Sequence, residues 1–121
     1  MNKLKILVVD DNRDFCDGVK DILEIEGHEV LSTYSGQDAV ELAQKEHLDL
    51  IIMDLVMPRM NGVTAIRLIR KTSPSVHIIV VTGFGEEEIV QEAQQSGING
   101  KFGKPLDFAG LLSYIQTRVC G

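Results

Sequence analysis

The chain has 121 residues, 44% of them hydrophobic, the size and make-up of one domain with one sizeable core. Its formal net charge of −6 argues against a nucleic-acid surface, which needs clustered Lys and Arg to hold phosphate backbones. No apolar run reaches the roughly 18 residues of a membrane-spanning helix, and the N-terminus leads into a strand-like run without a signal peptide's long apolar core, so a cytoplasmic protein is expected.

Apolar runs of strand length alternate with segments of helical period along the whole chain, βα five times over. Residues 4–9 read as the first strand and 12–26 as the first helix, stopped by Gly27 in a left-handed turn. Cys16 falls in that helix and Cys120 is next to last; far apart and without metal-ligand spacing, neither looks like half of a disulfide framework. Residues 28–33 form the second strand and 35–46 the second helix, where Ser35 and Asp38 have capping-box spacing. The third strand covers 48–53, and Asn61 can cap the helix over 62–72 that follows. The fourth strand covers 76–81. Its helix, 86–96, opens on the acidic run Glu86-Glu87-Glu88, which suits the dipole, and stops at Gly97. Residues 98–102 and 107–119 complete the series; Asp107 caps the last helix, and Phe108, Leu111, Leu112, Ile115 and Val119 form its core-facing stripe.

Strands one, three and four are nearly continuous Val, Ile and Leu, as in parallel strands covered on both faces. Right-handed crossovers then give a flavodoxin-like α/β/α sandwich around a doubly wound five-stranded parallel sheet of order 2-1-3-4-5, one domain over residues 1–121. In such a sheet chemistry collects beyond the carboxyl ends of the strands, where the order reverses between strands one and three. The loops there hold Asp10 and Asp11, Asp54, Thr82, and Lys104-Pro105. Any one of these acids would pass as a helix cap or a solvated loop residue. Three that converge repel one another, and a hard divalent cation with oxygen ligands, Mg²⁺ above all, relieves the repulsion. His28, His47 and His77 stand apart from this cleft in the pattern and are read, like Tyr34 and Tyr114, as structural residues.

Taken in order, Asp10-Asp11, then Asp54-Leu55-Val56-Met57-Pro58-Arg59-Met60-Asn61-Gly62, then Thr82-Gly83, then Lys104-Pro105 resembles the receiver domains of two-component response regulators, over essentially the whole chain. The resemblance implies that Asp54 accepts a phosphoryl group and that Thr82 and Lys104 hold its oxygens. It implies that Asp10, Asp11, Asp54 and the main-chain carbonyl of Val56 hold Mg²⁺, with Mn²⁺ as a substitute. The implied donor is a sensor histidine kinase or a phosphotransfer protein, and the implied recipient of the signal is a downstream protein or a fused output domain. On this reading the chain is no enzyme beyond its own phosphorylation and dephosphorylation. The physics agrees, because phosphoryl transfer needs in-line placement and positive charge at the phosphoryl oxygens more than covalent help from protein. Pro105 is expected to fix a rigid turn, open to the cis form, that aims Lys104 into the site.

The chain departs from the family pattern three positions before Lys104-Pro105, where Lys101 stands in place of an aromatic residue; Phe102, its neighbour, belongs on the opposite face, in the core. The glycine-flanked loop Gly83-Phe84-Gly85 is the expected hinge instead, leading toward a signalling face of helix four, strand five and helix five. In the family the positions of Val56 and Phe84 flank the approach of water, and neither side chain offers it a hydrogen bond, which predicts slow loss of the phosphoryl group; the alternative for Phe84 is an outward-facing partner contact. Rival readings lack their residues. A phosphohydrolase working through an aspartyl phosphate needs a second Asp where Val56 stands. A flavin-binding protein of this fold needs a neutral loop where Asp10-Asp11 stand, and no P-loop motif occurs. A receiver that no longer takes phosphate would have lost Asp54 or Lys104, and both are present.

Overall fold

The computed structural model describes residues 3–83 and 85–120, and within them five strands alternate with five helices. β1 (Lys5–Val9), β2 (Glu29–Thr33), β3 (Leu50–Asp54), β4 (His77–Thr82) and β5 (Gly100–Gly103) form one parallel sheet in the expected order, β2-β1-β3-β4-β5. The helices are α1 (Arg13–Ile25), α2 (Gly36–Lys45), α3 (Gly62–Thr72), α4 (Glu87–Ser96) and α5 (Phe108–Tyr114).

Strand alternation divides the core in two. Leu7, Ile51, Met53, Ile78 and Val80 face α2, α3 and α4, against residues such as Val40, Ile66 and Ala93. Ile6, Val8, Leu50, Ile52, Ile79 and Val81 face α1 and α5, against Cys16, Val19, Leu23, Leu111 and Ile115. Both faces of the three inner strands are therefore covered, which is why those strands are apolar throughout. Burying an Ile or Leu this completely contributes about 2 kcal/mol.

The caps follow the sequence. Asn12, Ser35, Asn61 and Asp107 each accept a hydrogen bond from the main-chain N–H three residues on, and Gly27 and Gly97 take left-handed conformations, φ 96° and 104°.

Several element edges differ from expectation. β3 and β4 continue one residue further, through Asp54 and Thr82, because the ladder still pairs Asp54 with Val81 and Thr82 with Gly103. β2 starts after His28, whose Nδ1 accepts from the Leu4 N–H at 3.1 Å. β5 starts only at Gly100. The final helix ends at Tyr114 and continues as a π-helical turn, Ile115–Val119, in which the Cys120 N–H reaches back to the Ile115 carbonyl at 2.9 Å. Tyr114 does more than pack: its hydroxyl donates to the Asn99 carbonyl at 3.2 Å, which leaves a lone pair for His77 Nε2–H at 2.8 Å. Cys16 is a buried thiol, and no disulfide forms among the described residues.

Candidate functional site

The acidic cleft forms because β1 and β3 are neighbours in register. Val9 pairs with Met53, so the next residues, Asp10 and Asp54, emerge side by side where the sheet order reverses. Asp10 is 1% exposed and Asp54 6% exposed, while Asp11 reaches solvent at the cleft mouth. Each of the three offers a carboxylate oxygen, and these oxygens all lie within 4.8 Å of one another.

Lys104 enters from the end of β5. Its N–H donates to the Thr82 carbonyl at 2.8 Å and the Lys104-Pro105 bond is cis, the turn anticipated from the sequence. Its ammonium donates to Asp10 Oδ2 at 3.1 Å and lies 3.6 Å from Asp54 Oδ2. Phe15, on the first turn of α1, presents its ring 5.1 Å below the same ammonium. Burial alone would lower the Lys104 pKa, but the Asp10 hydrogen bond and the Asp54 charge outweigh it and the net displacement is upward.

One ammonium does not balance this much acid. Burial, and then the Asp10 charge, push the Asp54 carboxyl up to about 6, against the pull of Lys104 and of the Val56 N–H, which donates to Asp54 Oδ1 at 3.3 Å; Glu86 adds a smaller upward push. Asp10 Oδ1 accepts from the Asn12 N–H at 2.9 Å, which fixes its rotamer at the start of α1. Converging carboxylate oxygens with a surplus of negative charge are the donor set of a hard divalent cation, so Asp10, Asp11 and Asp54 fit the metal that the sequence implies. Among the described residues this cluster contains no His or Cys. The Cys16 thiol beside it donates to the Asp10 carbonyl at 3.4 Å, and burial, with the Asp10 charge, pushes it up to about 11, so no thiolate forms there near neutral pH.

Thr82 ends β4, next to the carboxyl edge of β3. By strand alternation it follows Ile78 and Val80, and it lines a groove of about 440 Å³ between α4 and β5, together with Glu86, Glu87 and Lys101. Lys101 is exposed and Phe102 half-buried on the other face, packed edge-on against Tyr114 at 5.5 Å between ring centroids. Val56 is 51% exposed beside the Asp54 carboxylate, and Phe84, its expected partner in keeping water away, lies outside the described residues.

The sequence reading missed Phe15 and Glu86. Nothing in the helical period of α1 sets Phe15 apart from a packing residue, and Glu86 looked like one of three acids at a helix start. In the fold its Oε1 accepts from the Gly83 N–H at 2.9 Å.

Five parallel strands with an acidic crevice at the reversal point and a lysine delivered over it from the last strand form the arrangement that the resemblance to receiver domains implies. The chain belongs to the response regulator receiver domain family, whose model matches residues 6–116. It is 35% identical over 122 residues to the transcriptional regulatory protein DegU of Brevibacillus brevis, across 99% of this chain and 52% of that protein. It is 35% identical over 116 residues to the chemotaxis protein CheY of Treponema pallidum, across 93% of this chain and 81% of that one. The chain thus spans about half the length of DegU and most of CheY. Among solved structures it resembles the receiver domain of the sensor histidine kinase PA1611 from Pseudomonas aeruginosa PAO1, which has a magnesium ion coordinated in its active site cleft; the TM-score is 0.88 at 28% identity, over 99% of this chain and all of that one. Membership implies a receiver domain of the two-component systems, a signalling phosphoacceptor. No helix among the described residues is long and apolar enough to cross a membrane.

Proposed function

We propose that residues 1–121 act as one receiver unit in which Asp54 takes a phosphoryl group from a histidine kinase or phosphotransfer protein in the cytoplasm. The observation that carries this reading is the Lys104 ammonium 3.1 Å from Asp10 and 3.6 Å from Asp54, with the oxygens of Asp10, Asp11 and Asp54 within 4.8 Å of one another. Asp10, Asp11, Asp54 and the Val56 carbonyl would hold Mg²⁺ or Mn²⁺, which when bound supplies positive charge at the phosphoryl oxygens. An Asp54 oxygen attacks phosphorus in line, the bond from phosphorus to the donor breaks, and the leaving group departs with the electron pair and takes a proton. Lys104 neutralises the oxygens as a point charge, and the Thr82 hydroxyl, swung from the α4 groove toward the cleft, donates to one of them. The rearrangement of Thr82 is what passes the signal on, to a separate target protein or to an output domain fused to the receiver.

Acetyl phosphate with Mg²⁺ tests the reading: intact-mass analysis should show a single added phosphoryl group on the protein, absent in Asp54→Asn and absent in EDTA. Equal labelling of the Asp54→Asn variant would end the assignment.

A further inference from the structure

We propose that Glu86 is a positioning residue that holds, in the unphosphorylated protein, a main-chain donor the phosphoryl group on Asp54 needs, so that it limits filling of the site and is expelled when the site fills. The inference rests on the phosphoacceptor reading above. Glu86 occupies the N-cap position of α4, where a capping side chain would accept from the N–H groups of the first turn, and it makes no such bond. Its carboxylate turns back to accept from the Gly83 N–H at 2.9 Å. Gly85, at φ 86°, supplies the left-handed turn in the loop between them. The approach is tight enough that a Cβ on Gly83 would lie 3.0 Å from Glu86 Oε2.

Gly83 follows Thr82, the last residue of β4, and Val81 on that strand is in register with Asp54. Its N–H is therefore a donor at the carboxyl edge, one strand from the acceptor, and it is already engaged by an anion. A phosphoryl group brings three acceptor oxygens and close to two negative charges. Donors at this edge among the described residues include the Lys104 ammonium, the Thr82 hydroxyl and the N–H groups of Val56 and Gly83. Two anions compete for the Gly83 N–H, and at this range they repel one another. A capping box makes a similar bond three residues back, but within the first turn of a helix. Here α4 begins at Glu87, so the bond closes a loop in place of a helical turn, and releasing it frees the start of α4.

The test is equilibrium binding of beryllofluoride, a stable phosphoryl mimic, in the presence of Mg²⁺, with the rate of Asp54 labelling by acetyl phosphate measured in parallel. Glu86→Ala should bind about tenfold tighter than wild type, the worth of one competing charge-assisted hydrogen bond. Glu86→Gln, which keeps an acceptor and loses the charge, should gain about threefold. Glu87→Gln removes a neighbouring charge from the same groove and should stay within about twofold of wild type. The Gly83 amide resonance should shift on Glu86→Ala toward its position in the beryllofluoride complex. Unchanged affinity in Glu86→Ala, or an equal gain in Glu87→Gln, overturns the proposal while leaving the phosphoacceptor reading intact. Failure of the wild type to bind beryllofluoride and to be labelled at all overturns both.

Discussion

Replacing Asp54 with Asn should make the metal-free protein more stable, although it removes the residue on which the proposed function turns. The carboxyl is 6% exposed, and burial and Asp10 push it up to about 6 from an ordinary value of 3.8. An Asp whose pKa is raised by folding costs stability wherever it is ionised in the fold. The cost is full above about 6 and fades as the pH falls toward 3.8. A displacement of about two pH units corresponds to about 3 kcal/mol, with the attraction of Lys104 already included because it acts on the same carboxylate. Urea denaturation in EDTA at pH 7.5 should therefore place Asp54→Asn about 2 to 3 kcal/mol above wild type, and the gap should shrink as the pH falls from 6 to 4. Mg²⁺ should close it from the other side, since a ligand at about 100 times its Kd adds about 2.7 kcal/mol to the state that binds it. A variant no more stable than wild type in EDTA at pH 7.5, with unchanged urea dependence, would refute the claim that the cleft stores charge for a cation.

Three further outcomes are expected elsewhere. Arg70 donates to the carbonyls of Ser73, Val76 and Gly97 and to Asn99 Oδ1, and Lys cannot reproduce that fork, so Arg70→Lys should cost about 3 kcal/mol by chemical denaturation; a loss below about 1 kcal/mol would show the clamp to be redundant. Burial lowers the pKa of both His28 and His77, opposed at His28 by Glu26 and reinforced at His77 by Arg70. Their contribution to stability is present above the unfolded value near 6.5 and is lost as the pH falls below it, so both imidazoles should titrate below 6.5 by NMR, and His77→Gln should flatten the acid side of the stability profile. Val56→Asn should place a polar group beside the acceptor and speed loss of the phosphoryl group about threefold, roughly 0.7 kcal/mol off the barrier; decay unchanged in a chase experiment would remove Val56 from any role in persistence.

Strand identity was legible wherever burial on both faces forces unbroken apolar runs, as in β1, β3 and β4, and the site was legible because parallel topology puts strand ends together whatever lies between them. Asp10, Asp11, Asp54 and Lys104 could be placed in one cleft on that ground alone. The pattern marked the place of Thr82 at a strand end, while the groove beside α4 that it lines is a feature of the fold. The edges of β2 and β5 were misjudged because ladder pairing, not composition, decides where an outer strand starts. The Glu86 contact depends on a loop turned at Gly85, and the Tyr114 contacts depend on how α5 settles over β4 and β5. Those are tertiary facts without a signature in spacing.

The way α4 is fastened makes it a lever with its pivot at one end. At its far end Ser96 receives a hydrogen bond from Arg67 at 3.1 Å, and the Gly97 carbonyl is held by Arg70 at 2.8 Å, so that end is tied to α3. At its near end, among the described residues, the residue before the helix is tied back to Gly83 by a side-chain bond. Ten residues of helix make an arm of about 15 Å, so each ten degrees of swing about the fastened end carries the near end about 2.6 Å. Motion begun at the phosphoryl site would thus be largest at Glu86 and Glu87, along the mouth of the groove against β5, and would die away toward the sheet's other edge.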